Sequence, residues 1–135
     1  MKKIILLLIF AFAINSCSTE TYQPDTSLLV LPIDSVIMPA SFATDSTSVI
    51  KIKYRRPSNC YGFNGFYYAK HDFTRTVAIE AVLFNQGGCE LETDNLKEVE
   101  LRFTPVSSGT YNFKFWLGND VNNVEQYLIV DAIVP

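Results

Sequence analysis

Histidine, the commonest general base, is scarce in this sequence, since His71 is the only one among 135 residues. A zinc-type site needs several nitrogen or sulfur ligands at fixed spacing. A hydrolytic triad needs a histidine beside a serine and a carboxylate. Neither pattern surrounds His71, which lies in a polar stretch before Asp72. We therefore predict an exposed turn histidine, and a small hydrolase using His71 is the least favoured function.

Positive charge is also limited. The sequence has 11 lysines and arginines against 14 acidic residues, for a net charge of −3, and its basic residues are scattered. Proteins that bind nucleic acids concentrate basic side chains in a stripe that displaces counterions. Phosphate-binding loops, dinucleotide fingerprints and paired catalytic carboxylates are missing too. We predict a protein that is not an enzyme and does not bind nucleic acid.

Long apolar runs are confined to the N-terminus. Lys2 and Lys3 precede an unbroken apolar run of eleven residues, from Ile4 to Ile14. The run is shorter than the roughly 20 residues of a membrane-spanning helix. It has the length and position of a signal-peptide core. The sequence therefore predicts export from the cytoplasm.

The segment Ile14-Asn15-Ser16-Cys17 resembles the lipobox of bacterial lipoproteins. In that family diacylglycerol is attached to the Cys sulfur, cleavage occurs just before the Cys, and the new amine is acylated. The resemblance implies a cleaved signal peptide at 1–16, a lipid anchor on Cys17 that joins the chain to the membrane, and no other cofactor. Asn15 departs from the commonest pattern, which has Ala or Ser there. Ordinary cleavage after Ala13 is the alternative, and it would leave Cys17 as a thiol.

The cysteine count bears on this choice, because Cys17, Cys60 and Cys89 make an odd number. If Cys17 is lipidated, Cys60 and Cys89 remain as an even pair for a disulfide in an oxidising compartment. The bond would close a loop of about 30 residues and contribute about 3.6 kcal/mol through chain entropy. Two unpaired buried thiols are the alternative.

The rest of the chain divides into a tether and one domain. Residues 17–26 are polar and without periodicity, which predicts a tether reaching about 33 Å when fully extended. In residues 27–135 short runs of alternating or β-branched residues are separated by turn clusters, as in a β-sandwich. Pro32 places the first run at a sheet edge and favours a break there. The predicted strands span residues 28–38, 49–55, 66–71, 75–84, 97–104, 110–117 and 125–134.

The stretch Gly109-Thr110-Tyr111 resembles the Gly-x-Tyr corner that opens the penultimate strand of immunoglobulin-like domains. The resemblance implies an all-β, antiparallel immunoglobulin-like sandwich of about seven strands, in which the Tyr111 hydroxyl bonds to the chain just upstream. The inter-sheet disulfide of that family is not reproduced, because neither Cys60 nor Cys89 lies two residues after Tyr111.

As a whole, the chain is similar to small lipoproteins of Bacteroidota, which carry no assigned activity. Ser18 follows the predicted lipidated Cys, in place of the Asp associated with inner-membrane retention in enteric lipoproteins. This resemblance implies the outer membrane. Display on the periplasmic or the cell-surface face stays open.

Two stretches are candidates for binding. Residues 61–68 contain five aromatics, which either fill the core or form a platform for a sugar ring or a partner protein. There Asn64-Gly65 predicts a tight turn that makes Phe63 and Phe66 cross-strand neighbours. The outward parity of Trp116 predicts that it joins such a patch. The candidate surface comprises Phe63, Phe66, Tyr67 and Trp116.

The loop at 118–125 is a weak calcium candidate. Asp120, Asn122 and Glu125 supply the oxygen ligands that calcium prefers, but the third acidic position and central Gly of an EF-hand loop are missing. Asn, Asp and Gly are also the usual residues of a hairpin connection. We favour the hairpin.

Two hypotheses about partners follow, together with one expectation about ion pairs within the chain. The leading hypothesis is a membrane-anchored binding or accessory module whose partner is an envelope protein or a glycan. The alternative is a structural or assembly subunit of an outer-membrane complex that pairs through the sheet edge at 28–38. Arg55 and Arg56 either pair with the acidic segment around Glu90 and Glu92 or remain solvated.

Overall fold

The computed structural model describes residues 25–85 and 87–135, which form eight β-strands. In this part of the chain no helix is long and apolar enough to cross a membrane. The strands are β1 (Thr26–Leu31), β2 (Ile33–Ile37), β3 (Ser48–Arg55), β4 (Tyr61–His71), β5 (Thr74–Phe84), β6 (Leu96–Phe103), β7 (Gly109–Asn119) and β8 (Glu125–Val134).

The strands form two sheets packed face to face, so the predicted all-β sandwich is confirmed. The smaller sheet has the order β2-β3-β6. In the larger sheet one edge of β5 pairs with β4 along the whole strand. The other edge of β5 pairs with β1 over one part and with β7 over another. β8 completes this sheet beside β7. The pair β5–β7 is parallel, so the larger sheet is mixed, whereas the sequence predicted antiparallel pairing throughout.

Alternation along the strands builds the core between the sheets. In β3, Ile50, Ile52 and Tyr54 are buried, and Lys51 points to solvent. β7 contributes a second row of buried side chains in the same way. The largest fully buried side chains are Tyr111, Phe113, Phe115, Ile50, Ile52, Ile79, Val77 and Pro105.

Pro32 divides the first predicted strand in two, as the sequence indicated. Proline has no N–H to donate to a ladder. The chain therefore leaves the larger sheet after Leu31 and enters the smaller sheet at Ile33. Gly118 of β7 lies against this crossing, where an added Cβ would meet the Pro32 Cβ at 3.4 Å.

The predicted tyrosine corner is present. The Tyr111 hydroxyl donates to the carbonyl oxygen of Ser107 at 3.2 Å. Its ring makes edge-to-face contacts with Phe103 and Phe73. Gly109 has a φ of 140°, and a Cβ there would lie 2.7 Å from the Phe73 ring, so this approach requires glycine.

The turn predicted at Asn64-Gly65 is wrong, because these residues form a β-bulge inside β4. The register of β4 against β5 shifts between Phe63 and Gly65, and Gly65 has a φ of 147°. An Asn-Gly pair serves a bulge as well as a turn. The strand continues because β5 offers pairing partners on both sides of the bulge.

Cys60 and Cys89 form the predicted disulfide, with their Cα atoms 5.4 Å apart. The bond joins the start of β4 to the connection between β5 and β6. Beside it Arg56 forms a two-pronged ion pair with Glu92. Of the two alternatives for the arginines, Arg56 is therefore paired with the acidic segment, and Arg55 pairs with Asp34 at 3.1 Å instead.

Candidate functional site

The predicted signal peptide, Cys17 and residues 17–24 of the predicted tether lie outside the described residues. The lipid anchor therefore stays a prediction. The described part begins at Asp25, and β1 begins at Thr26, the last residue of the predicted tether.

The bulge in β4 divides the predicted aromatic patch between two faces. Phe63 and Phe66 point toward the smaller sheet, with ring centroids 5.2 Å apart, and Phe63 also contacts Tyr54 of β3. Phe66 packs against the core, and Phe63 is 42% exposed at its margin. Tyr67 has the opposite parity and points away from the core. The structure thus separates these two phenylalanines from Tyr67.

Tyr67 and Trp116 do come together, on the face of the larger sheet that points away from the core. They border a groove of about 330 Å³, which we name the outer groove. β1 and β7 meet the same edge of β5 on either side of Ala78, which lies at the groove floor. The lining residues are Val30, Tyr67, Thr76, Ala78, Trp116, Glu125 and Tyr127.

Strand register fixes the position of each aromatic ring in the outer groove. Tyr67 of β4 is opposite Ala78 of β5. Trp116 of β7 is opposite Tyr127 of β8. Because these residues have outward parity on four strands of one sheet, their side chains converge from both sides of β5.

Tyr127 also lines the outer groove, although the sequence did not indicate it as a site residue. Its hydroxyl donates to Glu125 at 2.8 Å, and Lys114 lies 4.5 Å from its ring centroid. The hydrogen bond to Glu125, followed by burial, raises the pKa of Tyr127 above its usual value. The available signal was its position across the hairpin from Trp116.

Trp116 is half-buried, and its indole N–H has no partner among the described residues. The Nε1 atom is buried and forms no hydrogen bond with any described residue. A buried donor without an acceptor is costly, and such groups are rare in folded proteins. The outer groove therefore has an unsatisfied donor in its wall.

The weak calcium candidate has the geometry of a hairpin connection. Asp120 accepts hydrogen bonds from the backbone N–H groups of Asn122 and Val124 at 2.8 and 3.0 Å. The Glu125 carboxylate accepts a hydrogen bond from the Tyr127 hydroxyl. Within residues 25–85 and 87–135 no cluster of three His, Cys, Asp or Glu side chains is placed to hold a metal ion.

His71 ends β4 at the hairpin to β5 and is exposed, as the sequence predicted. Its Nδ1 lies 3.5 Å from the Asp72 carboxylate, and both side chains are almost fully exposed. Catalytic histidines are usually tuned by burial and fixed partners. This geometry does not favour a catalytic role.

Comparisons of the chain with protein-family models, with curated protein sequences and with solved structures yield no match.

Proposed function

We propose that this protein is a non-enzymatic binding module, held at the outer membrane by a lipid on Cys17, that takes its ligand in the outer groove. The observation that carries the proposal is the convergence of Tyr67, Trp116 and Tyr127 around one open groove. Binding sites typically combine such aromatic walls with a few polar groups that fix orientation.

The ligand that suits these walls best is a sugar ring of an envelope glycan. Aromatic faces pack against the C–H faces of a ring and bury apolar area. Glu125 and Thr76 stand among the aromatics as hydrogen-bonding groups for hydroxyls. The volume of about 330 Å³ is at the small end of ligand sites, which corresponds to one or two rings.

The chain carries its own reporter for this proposal. Trp116 is the only tryptophan of the sequence, so all tryptophan fluorescence arises at the groove. We expect soluble peptidoglycan fragments or lipopolysaccharide core oligosaccharides to change that fluorescence in a saturable way. We expect Tyr67→Ala and Tyr127→Ala each to weaken binding about tenfold, because each removes one stacking wall.

The matched control is Leu91→Ala, which truncates a highly exposed apolar side chain away from the groove. This variant should bind like the unmodified chain. Unchanged fluorescence with every oligosaccharide would contradict the proposal. Equal affinities of the control and the two tyrosine variants would contradict it as well.

A second candidate is an assembly subunit that pairs through a sheet edge. β8 is ten residues long and pairs with β7 but with no other described strand. Ile129 and Ile133 on its outer face are 58% and 71% exposed. An open edge with apolar flanks is a template for strand addition. β4 is one residue longer and also has an edge that pairs with no described strand, but the exposed isoleucines favour β8 as the edge for strand addition, rather than the predicted edge at 28–38, where β2 has five residues.

A further inference from the structure

A second cavity lies at the margin of the sandwich, between the larger sheet and the end of β6. Its volume is about 380 Å³, and it shares no lining residue with the outer groove. We name it the basic pocket, because three of its lining side chains are cationic and none is acidic. It is lined by Tyr68, Lys70, Arg75, Arg102, Phe103, Thr104 and Val106.

Arg75 is the buried cation of this pocket, with 8% of its surface exposed. Its Nη1 donates to the carbonyl oxygens of Asp72 and Thr74 at 2.7 and 2.9 Å. The guanidinium carbon lies 4.9 Å from the Tyr111 ring centroid. These neutral partners hold the guanidinium in place but supply no full negative charge. Buried charges in folded proteins are normally paired with an opposite charge.

Three of the four described lysines and arginines that lack a carboxylate partner lie at this pocket. Five of the nine lysines and arginines in the described residues form ion pairs with carboxylates. Of the other four, Lys114 lies on the Tyr127 ring. The remaining three are Lys70, Arg75 and Arg102, and all of them line the basic pocket. In a chain with a net negative charge, three cations without carboxylate partners converge on one cavity.

Two hydroxyl groups line the pocket beside the cations, and the hydroxyl of Thr104 hydrogen-bonds with that of Thr47 at 2.7 Å. Tyr68 points from β4 into the same space, and Thr104 follows β6. Burial raises the pKa of Tyr68 above its usual value, and nearby Arg75 offsets part of that effect. The raised pKa favours the protonated phenol.

We infer that the basic pocket binds the phosphoryl group of a ligand, with Arg75 as the buried anchor and Lys70 and Arg102 closing around it. A guanidinium presents paired N–H donors that match a tetrahedral oxyanion, and lysine adds a point charge. The cavity is larger than one phosphate ion, so it has room for the group that bears the phosphate. This second site goes beyond the proposed binding in the outer groove.

Thermal unfolding of the full chain in detergent tests the inference, with inorganic phosphate as the probe. Potassium chloride at equal ionic strength controls for screening. We expect phosphate to raise the unfolding midpoint in a saturable way, because a ligand of the folded state stabilises it by mass action. The apparent affinity should fall at least about tenfold in the double variant Lys70→Gln/Arg102→Gln.

The matched control removes two cations that are paired on the outside of the smaller sheet, in the double variant Lys51→Gln/Lys53→Gln. It should keep the phosphate response. Equal responses of the two double variants would overturn the inference, as would a phosphate effect no larger than that of chloride. Lys70, Arg102 and Lys51 are exposed and Lys53 is half-buried, so the two variants leave the buried Arg75 unchanged.

Vesicle flotation distinguishes two sources of the phosphoryl group, the headgroup of an anionic lipid and a soluble phosphorylated ligand. Phosphatidylglycerol vesicles, compared with phosphatidylcholine vesicles, should recruit the non-lipidated Cys17→Ser chain if the group belongs to an anionic lipid. Loss of that recruitment in Lys70→Gln/Arg102→Gln would assign the pocket to a headgroup. A phosphate response without recruitment would assign it to a soluble phosphorylated ligand. The absence of both the phosphate response and the vesicle recruitment would overturn the inference.

Discussion

Tyr111 is fixed by its ring and by its hydroxyl. The ring is fully buried among Phe73, Phe103 and the guanidinium of Arg75. The hydroxyl reaches back four residues to the carbonyl of Ser107. The corner therefore couples the start of β7 to the core and to the basic pocket.

Replacing Tyr111 with Phe should lower the free energy of unfolding by about 1–2 kcal/mol. The variant keeps the ring and loses the donor, so the Ser107 carbonyl loses its partner. Urea denaturation measures the change. The slope of the unfolding free energy against urea concentration should stay the same, because the surface area exposed on unfolding stays the same.

The control for this variant is Tyr127→Phe, which removes the same hydroxyl from an exposed hydrogen bond to Glu125. Its effect should stay within about 0.5 kcal/mol. A larger loss in Tyr127→Phe than in Tyr111→Phe would contradict the role assigned to the corner.

The local sequence was not sufficient to predict the structure of residues 63–67. Asn64-Gly65 signals a positive φ, which occurs both in tight hairpin turns and in bulges that contain glycine. The partner strand decided between them, because β5 pairs with Phe63 and with Phe66 on either side. The bulge places Phe63 on the same face as Phe66, so that Tyr67 alone of the three reaches the outer groove.

At the scale of elements, β7 and β8 were predictable because their alternation is regular and a Gly-Asn-Asp turn separates them. The sequence did not reveal that β7 pairs in parallel with β5. Such a pair joins residues 74–77 to residues 112–115, and no local pattern encodes a contact of that separation. β8 is consequently an open edge.

If β8 mediates assembly, crosslinking in intact cells should trap a complex containing this chain. Ile129→Lys should abolish that product, because a charge on an edge strand opposes the addition of another strand. Val121→Lys, in the fully exposed hairpin loop, is the control and should retain it. Recovery of monomer alone from the unmodified chain would count against assembly through this edge.

At the scale of the whole molecule, the disulfide and the Arg56–Glu92 pair tie the start of β4 to the connection before β6. The hydrogen bond from Arg56 lowers the pKa of Glu92, so this contact stabilises the fold at neutral pH and weakens as pH falls through that pKa. The disulfide acts mainly on the unfolded chain, whose freedom it restricts.

Replacing both Cys60 and Cys89 with Ser should therefore lower the free energy of unfolding by about 3.6 kcal/mol in the chain-entropy estimate. The measurement is the denaturation midpoint under non-reducing conditions. Treatment of the unmodified chain with a reductant should reproduce the loss, and the double variant should not respond to the reductant. An unchanged midpoint in the variant would contradict the stabilising role.

Local sequence patterns predicted the all-β class, the strand positions apart from the first part of β4, the break at Pro32, the disulfide and the tyrosine corner. Each of these depends on local alternation, on the backbone limits of proline and glycine, or on a cysteine count. Which side chains meet at the two cavities depends on the tertiary structure. Tyr127 joins Tyr67 and Trp116, and Arg75 joins Lys70 and Arg102, through strand pairings between distant segments, and these pairings depend on the packing of the whole chain.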